Sequence, residues 1–356
     1  MVRFCKKRGI LSLAFLLSLV LLLPLLTGCQ RTRTKTGNVV NIYNWGEYID
    51  PSLLKQFEEE TGIKVVYSTF ATNEDLFVKI QSGGANYDLI CPSDYMLDKM
   101  KKAGLLEKIN YDKIPNMKHI DPEFLHHAYD PDQEYSVPYF WGTVGIVYNK
   151  TMVHEVVDSW DILWKEDYRR NLMMMDSTRD SFAIGLIRRG YSVNSDKREE
   201  LEEAQKDLIA QRPLVYAYLV DQIKDVMIND ECALAVMFSG DAVEALERNE
   251  NLDYVIPREG TNIWFDAWAI PKGAPNKENA ETFINFMSRP DIMAINAQYV
   301  GYSLPSTAGK EALPEDLQDD PVAYPDLDSV DHLEAFKDMG DFTKVYNELW
   351  QDVKNQ

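Results

Sequence analysis

Between residues 39 and 91 the chain alternates short apolar runs with amphipathic stretches at helical spacing, and this alternation leaves few folds open. Residues 39–43 read as a short buried strand. Asp50 then caps a helix, with Pro51 at its first position and Leu53, Leu54 and Phe57 on one face, and Gly62 ends it. Lys64–Phe70 reads as a second strand. Asn73–Gln81 reads as a helix stopped by Gly83-Gly84, and residues 88–91 as a third strand closed by Pro92. The order β-α-β-α-β implies a parallel sheet with helices on its faces.

The pattern recurs downstream. Residues 139–148, 171–175, 232–238 and 263–270 read as strands. Helices are expected near 180–189 and over 200–210. Asn276 caps another, with Ala280, Phe283, Ile284 and Met287 as its apolar stripe, ended by Arg289-Pro290. Ile292, Ile295 and Tyr299 mark the next, which stops at Gly301. No internal repeat or low-complexity segment interrupts the series. Two α/β units in one body are expected, with binding groups at strand C-terminal ends and between the units.

The first residues read as a targeting segment. Arg3, Lys6, Lys7 and Arg8 precede an apolar run over 10–26 that is broken only by Ser12, Ser18 and Pro24. It ends Leu26-Thr27-Gly28-Cys29, which resembles the bacterial lipobox, whose Cys is acylated and becomes the new N-terminus. The expectation is a lipoprotein signal peptide over 1–28, lipid on Cys29, and a polar tether over 29–38. The apolar run sits at the short limit for a membrane span. The remaining ~328 residues exceed one comfortable core and suggest two lobes.

Charge narrows the partners. The formal net charge is −20; the expected signal holds four of the 37 basic residues and none of the 57 acidic ones, leaving −24 on the rest. Such a field repels nucleic acid and attracts cations. Cys91 and Cys232, the cysteines outside the leader and the lipobox, either pair or remain buried thiols, and no Cys-x-x-Cys points to zinc. Phosphate-binding Gly-rich loops and the Gly-x-Ser-x-Gly elbow are absent from the sequence. His154-Glu155 lacks the second His of a zinc-protease motif, and His126-His127 would point apart on a helix. The expectation is therefore no enzyme, no cofactor and no metal site.

Aromatic and acidic residues cluster just past the expected strand ends: Trp45, Glu47 and Tyr48; Ser93 and Tyr95; Ser177 and Asp180; Phe238; Trp264 and Asp266; and Tyr302 after a helix. Aromatic walls with a few carboxylates suit a flexible methylene chain with ammonium ends. Rings cover the carbons and attract the cations by roughly 0.5–2 kcal/mol each, and desolvated ammoniums need paired carboxylates.

With these segments in place, the chain resembles the spermidine/putrescine-binding proteins of polyamine ABC transporters. The likeness runs from about residue 40 to the C-terminus. It includes Tyr43-Asn44-Trp45-Gly46-Glu47-Tyr48, Thr61-Gly62-Ile63-Lys64-Val65, Tyr87-Asp88-Leu89-Ile90 with Pro92-Ser93, Pro138-Tyr139-Phe140-Trp141-Gly142, Trp264-Phe265-Asp266 and Gly301-Tyr302. The resemblance implies a two-lobed periplasmic-binding-protein fold (type II), each lobe a mixed sheet flanked by helices, with the ligand cleft between lobes. It implies lobe 1 over 39–143 plus 267–310 and lobe 2 over 144–266 plus 311–356. Trp45, Tyr48, Trp264 and Tyr302 would wall the aliphatic chain. Ser93 and Tyr95 would line the cleft, and Glu47, Asp180 and Asp266 would take the ammonium groups. Phe238 stands where the family often has Trp, and Ser177 where some members carry a second carboxylate; a polar contact of some members falls near residues 334–336. The implied partners are putrescine or spermidine, an ABC permease, and the membrane through Cys29, for a monomer held in the periplasm or on the outer face of the cell membrane. Two alternatives remain open: the same fold around another small cationic or amino-acid-like solute, for which Arg179 is the candidate carboxylate partner, or a surface lipoprotein hydrolase using a carboxylate pair.

Overall fold

The computed structural model describes residues 37–83 and 86–355; the expected signal peptide, Cys29 and Gly84 lie outside the described residues. Strand β1 (Val39–Trp45) is followed by helix α1 (Pro51–Thr61). Asp50 is extended and accepts a hydrogen bond from the Ser52 N–H at 2.8 Å, and Pro51 occupies the first turn, where its missing N–H is no loss. Gly62, at φ 70°, ends the helix in the left-handed conformation that glycine adopts without strain. Phe57 is fully buried on the inner face of α1. Strand β2 (Lys64–Phe70), α2 (Asn73–Gln81), β3 (Leu89–Ile90) and α3 (Asp94–Lys102) complete the first series. Both β2 and β3 pair with β1 in parallel, as the crossover helices require.

After the short β4 (Leu106–Glu107), the chain enters β5 (Ser136–Asn149), a 14-residue strand buried along nearly its whole length. The second series is β6 (Leu172–Met175), α4 (Thr178–Ile187), α5 (Arg198–Gln211), β7 (Val215–Leu219), α6 (Gln222–Ile228), β8 (Leu234–Phe238), α7 (Ser239–Arg248) and β9 (Leu252–Val255). Strand β10 (Thr261–Pro271) then runs antiparallel to β5. The rest is α8 (Lys277–Met287), α9 (Pro290–Val300), α10 (Thr307–Glu311), α11 (Glu315–Gln318), β11 (Leu333–Glu334) and α12 (Thr343–Asn355). No helix among the described residues is long and apolar enough to cross a membrane.

The parallel groups β2-β1-β3 and β8-β6-β7 are joined through the antiparallel pair β10-β5, so the strand order is β2-β1-β3-β10-β5-β8-β6-β7. The parallel pairing expected from the first alternation holds for β2-β1-β3, and the antiparallel β10 beside β3 makes the sheet the mixed one expected. The N-terminal half of β5 pairs with β10, and its C-terminal half pairs with β8 and β9. In the β5–β10 ladder Phe140 opposes Asp266 while Pro138 opposes Ala267, which leaves Tyr139 as the extra residue of a bulge. Pro138 has no N–H to donate, and a bulge tolerates that loss inside a sheet.

The cores follow the two lobes. One gathers Val40, Ile42, Phe57, Trp268, Phe283 and Ile284; another gathers Ile146, Met173, Met174, Ile184, Leu234 and Val236. Leu313 and Leu317 pack with the first, so residues 311–318 lie against the first lobe's core, and Val322 and Ala323 pack with the second. Helix α12 seats Tyr346, Leu349 and Trp350 against α4 and α5. Cys91 and Cys232 are free thiols buried in different cores, so of the two readings left open for them the pairing is excluded. Asn276, expected to cap α8 with its side chain, makes no such bond. Its N–H and Nδ2 instead donate to the fully buried Asp88 carboxylate at 2.7 and 3.0 Å, which also accepts from Asn41 and so ties β1 to the start of α8.

Candidate functional site

Asp266 lies on β10 at the bulge, opposite the loop that leaves β3. It forms a β-bridge with Ser93, and the next residue, Ala267, donates its N–H to the Pro92 carbonyl at 3.2 Å. One carboxylate oxygen, Oδ2, accepts from the Tyr48 hydroxyl at 2.7 Å. The other, Oδ1, is buried and has no hydrogen-bond partner among the described residues. Burial pushes the Asp266 carboxyl up to about 6, against the opposing pull of the Tyr48 and Ser93 hydroxyls.

Aromatic rings surround it. Tyr48 is held by a Tyr139 hydroxyl bond to its carbonyl at 2.7 Å, and Tyr139 is itself fixed by Asn296. The Tyr48 ring packs edge-on to Phe140 and Tyr302. Trp264, two residues before Asp266 and therefore on the same face of β10, meets Tyr302 perpendicularly at 4.9 Å and Phe238 at 6.0 Å. Gly142 and Gly240 permit this packing: a Cβ on Gly142 would sit 2.5 Å from Trp264, and one on Gly240 only 2.1 Å from Tyr302. Tyr48, Phe238, Trp264, Asp266 and Tyr302 are thus brought together.

The other expected residues fall around this centre. Trp45 ends β1 against Phe70 at 4.5 Å, with a buried Nε1 that has no partner among the described residues. Glu47 is exposed and left-handed at φ 48°. Ser93 precedes α3 without capping it; Asn73 Nδ2 donates to both the Ser93 and Tyr95 hydroxyls, at 3.1 and 3.2 Å. The Tyr95 ring meets Phe336 edge-on, and the Tyr95 hydroxyl donates to Glu74 at 3.3 Å. Ser177 caps α4 by accepting from the Asp180 N–H, and its hydroxyl donates to the Asp180 carboxylate. Asp180 is buried and its carboxyl is raised by that burial.

One acidic residue within the expected segments was given no role by sequence reasoning. Asp94, adjacent to Ser93 in the first turn of α3, is 1% exposed. Its oxygens accept from the N–H groups of Tyr95 and, across the sheet, Phe265; burial, with Asp266 adding to it, holds the carboxyl well above the usual range. Arg179, the candidate partner for a ligand carboxylate, is engaged elsewhere. It donates to Asn194 Oδ1 at 2.9 Å and to the Lys337 carbonyl at 3.1 Å, and lies over the Phe336 and Tyr346 rings. Glu334 is occupied too, accepting from Ser192 and facing His332. His127 is not on a helix but stacks on Phe265 at 4.3 Å.

Comparison with known proteins gives the family and the fold. The family model for bacterial extracellular solute-binding proteins matches residues 52–325. The spermidine/putrescine-binding periplasmic protein of Salmonella typhimurium is 37% identical over 330 residues, covering 92% of this chain and 94% of that protein. The crystal structure of the spermidine/putrescine ABC transporter substrate-binding protein PotD of Streptococcus pneumoniae superposes with a TM-score of 0.80 at 46% identity, covering 90% of this chain and 99% of that one. The TpPotD lipoprotein of Treponema pallidum gives a TM-score of 0.83 at 31% identity, covering 89% and 100%. On the model match, the relatives and the two-lobed fold together, the chain belongs to the bacterial extracellular solute-binding proteins, in the spermidine/putrescine-binding group.

Proposed function

We propose that this protein captures a polyamine outside the cytoplasm and delivers it to an ABC importer, without chemistry of its own. The observation that carries the reading is the Asp266 carboxylate, buried among Tyr48, Trp264 and Tyr302 with one oxygen unpartnered among the described residues. A buried anion without a counterion is costly, and an ammonium donating to Oδ1 would relieve that cost while the rings cover the adjacent methylenes. The names of the relatives, spermidine/putrescine-binding proteins, support the same ligand class. Arg179, already bonded to Asn194 and Lys337, speaks against a ligand carboxylate there.

In this reading Trp45, Tyr48, Trp264 and Tyr302 wall the ligand, with Phe238 edge-on behind. Ser93 and Tyr95 line the cleft, Ser177 orients Asp180, and Glu47, Asp180 and Asp266 draw the ammoniums. The lobes comprise 39–143 plus 267–310 and 144–266 plus 311–356, with residues 311–318 resting on the first lobe. A lipid on Cys29 holds the monomer at the membrane beside its permease; the printed description of the Treponema pallidum relative as a lipoprotein accords with such an anchor.

Calorimetric titration of the full chain in detergent with putrescine, spermidine and an amino-acid control tests the proposal. One-to-one binding of a polyamine is expected, weakened on the order of 100-fold or more by Asp266→Ala, which strands a buried ammonium. Silence with every polyamine, or an Asp266→Ala variant that binds like the parent, would refute it.

A further inference from the structure

Followed away from Asp266, the aromatic wall ends in a group that belongs to the protein. Tyr48 and Trp264 lead to Tyr302, whose ring lies on Gly240 in the first turn of α7 and whose hydroxyl faces Asp241. Asp241 is not free. The Lys224 ammonium, reaching across from α6, is 3.7 Å from its Oδ1 and pairs also with Glu244. Glu47, from the other lobe, lies within electrostatic reach of the same ammonium. The Lys224 side chain is only 18% exposed, so it is largely covered by its surroundings rather than extended into solvent.

A lysine side chain is four methylenes ending in an ammonium, chemically the aminobutyl arm of a polyamine. We propose that Lys224 is a specificity-determining residue: its ammonium takes, as part of the chain, the place beside Tyr302, Asp241 and Glu244 that an additional ammonium of a longer polyamine would need. The inference rests on the polyamine reading of the site. A second ammonium at that position meets like-charge repulsion and finds its carboxylates already paired, so the cleft favours a diamine over triamine and tetraamine ligands. Asp266, whose Oδ1 has no hydrogen-bond partner among the described residues, remains the anchor for every ligand.

The test compares putrescine, spermidine and spermine binding to the full chain and to Lys224→Met, Lys224→Gln and Lys224→Arg, with thermal unfolding as the control for folding. In the neutral variants the affinities for spermidine and spermine should rise relative to putrescine by about tenfold, while Lys224→Arg keeps the parent's ranking. Two neutral side chains of similar reach guard against one failing to fold. An unchanged ranking in a folded neutral variant, or a shift towards putrescine, overturns the inference while leaving polyamine capture intact. Failure of the parent to bind any polyamine removes the functional reading itself, a result distinguishable from the first.

Discussion

Asp266 carries opposed demands on one side chain. Its carboxyl is raised to about 6 by burial, so between about pH 4 and 6 the folded chain holds a proton that the unfolded chain has released. The unliganded protein therefore loses stability as pH rises through that window, by on the order of 2–3 kcal/mol, and the loss is complete above it. Asp266→Asn keeps an acceptor for Tyr48 and removes the charge. Its unliganded form should melt a few degrees above the parent at pH 7 and show a flatter pH dependence by scanning calorimetry, while losing the ligand. A variant that melts lower at pH 7 would mean that the carboxylate is not desolvated. Asp266 was legible because a carboxylate stands beside Trp264 inside the apolar run 263–270, and because Trp264-Phe265-Asp266 carries part of the family resemblance. Asp94 and Lys224 were given no role: one sits in a first helical turn and the other on a short helix, both ordinary surface patterns. Only the passage of β10 over residues 92–94, and the approach of α6 to α7, gives those two side chains their surroundings.

Elements with strong local signals were read close to their observed limits. Asp50, Pro51 and Gly62 bound α1 as expected, and the Met run became β6 with Ser177 capping the helix after it. The strands β4, β9 and β11 escaped notice because two to four residues carry no usable period, and their partners lie far along the chain. Asn276 shows a local signal overridden, since a buried carboxylate from β3's approach claims the side chain that a helix end would otherwise use. Helix α7 offers a test of the wall. Alanine is a better helix former than glycine by roughly 1 kcal/mol, so Gly240→Ala should not weaken α7 itself. Its Cβ would nonetheless lie 2.1 Å from the Tyr302 ring and must displace it. Polyamine affinity is expected to fall about tenfold, as for loss of one stacking face, with the melting temperature little changed. An unaltered dissociation constant would remove Tyr302 from the wall.

At the scale of the molecule, length alone suggested two lobes, but not that one run of paired strands links them. That link depends on β5 meeting β10 more than a hundred residues later, a pairing invisible to any local window. Charge acts at this scale as well. With −24 beyond the expected leader, the protein should draw a polycation in from a distance. Screening shortens that reach from about 30 Å at 0.01 M salt to about 8 Å at 0.15 M. Stopped-flow tryptophan fluorescence should show the association rate falling steeply over that range and the dissociation rate far less. Equal salt sensitivity of both rates would place the effect in the cleft and not in the field.

The pair β5 and β10 runs from one lobe into the other like the spine of a book, and Trp264 and Asp266 are printed on the spine and not on the covers. Hydrogen bonds along the pair resist sliding but permit twist, and the bulge at Tyr139 is where that twist concentrates. A guest held at Asp266, as proposed, would therefore rest on the ladder that the two covers share and not on either cover alone. In that reading the seat and the binding of the book are one element, and the ligand would meet both lobes through it.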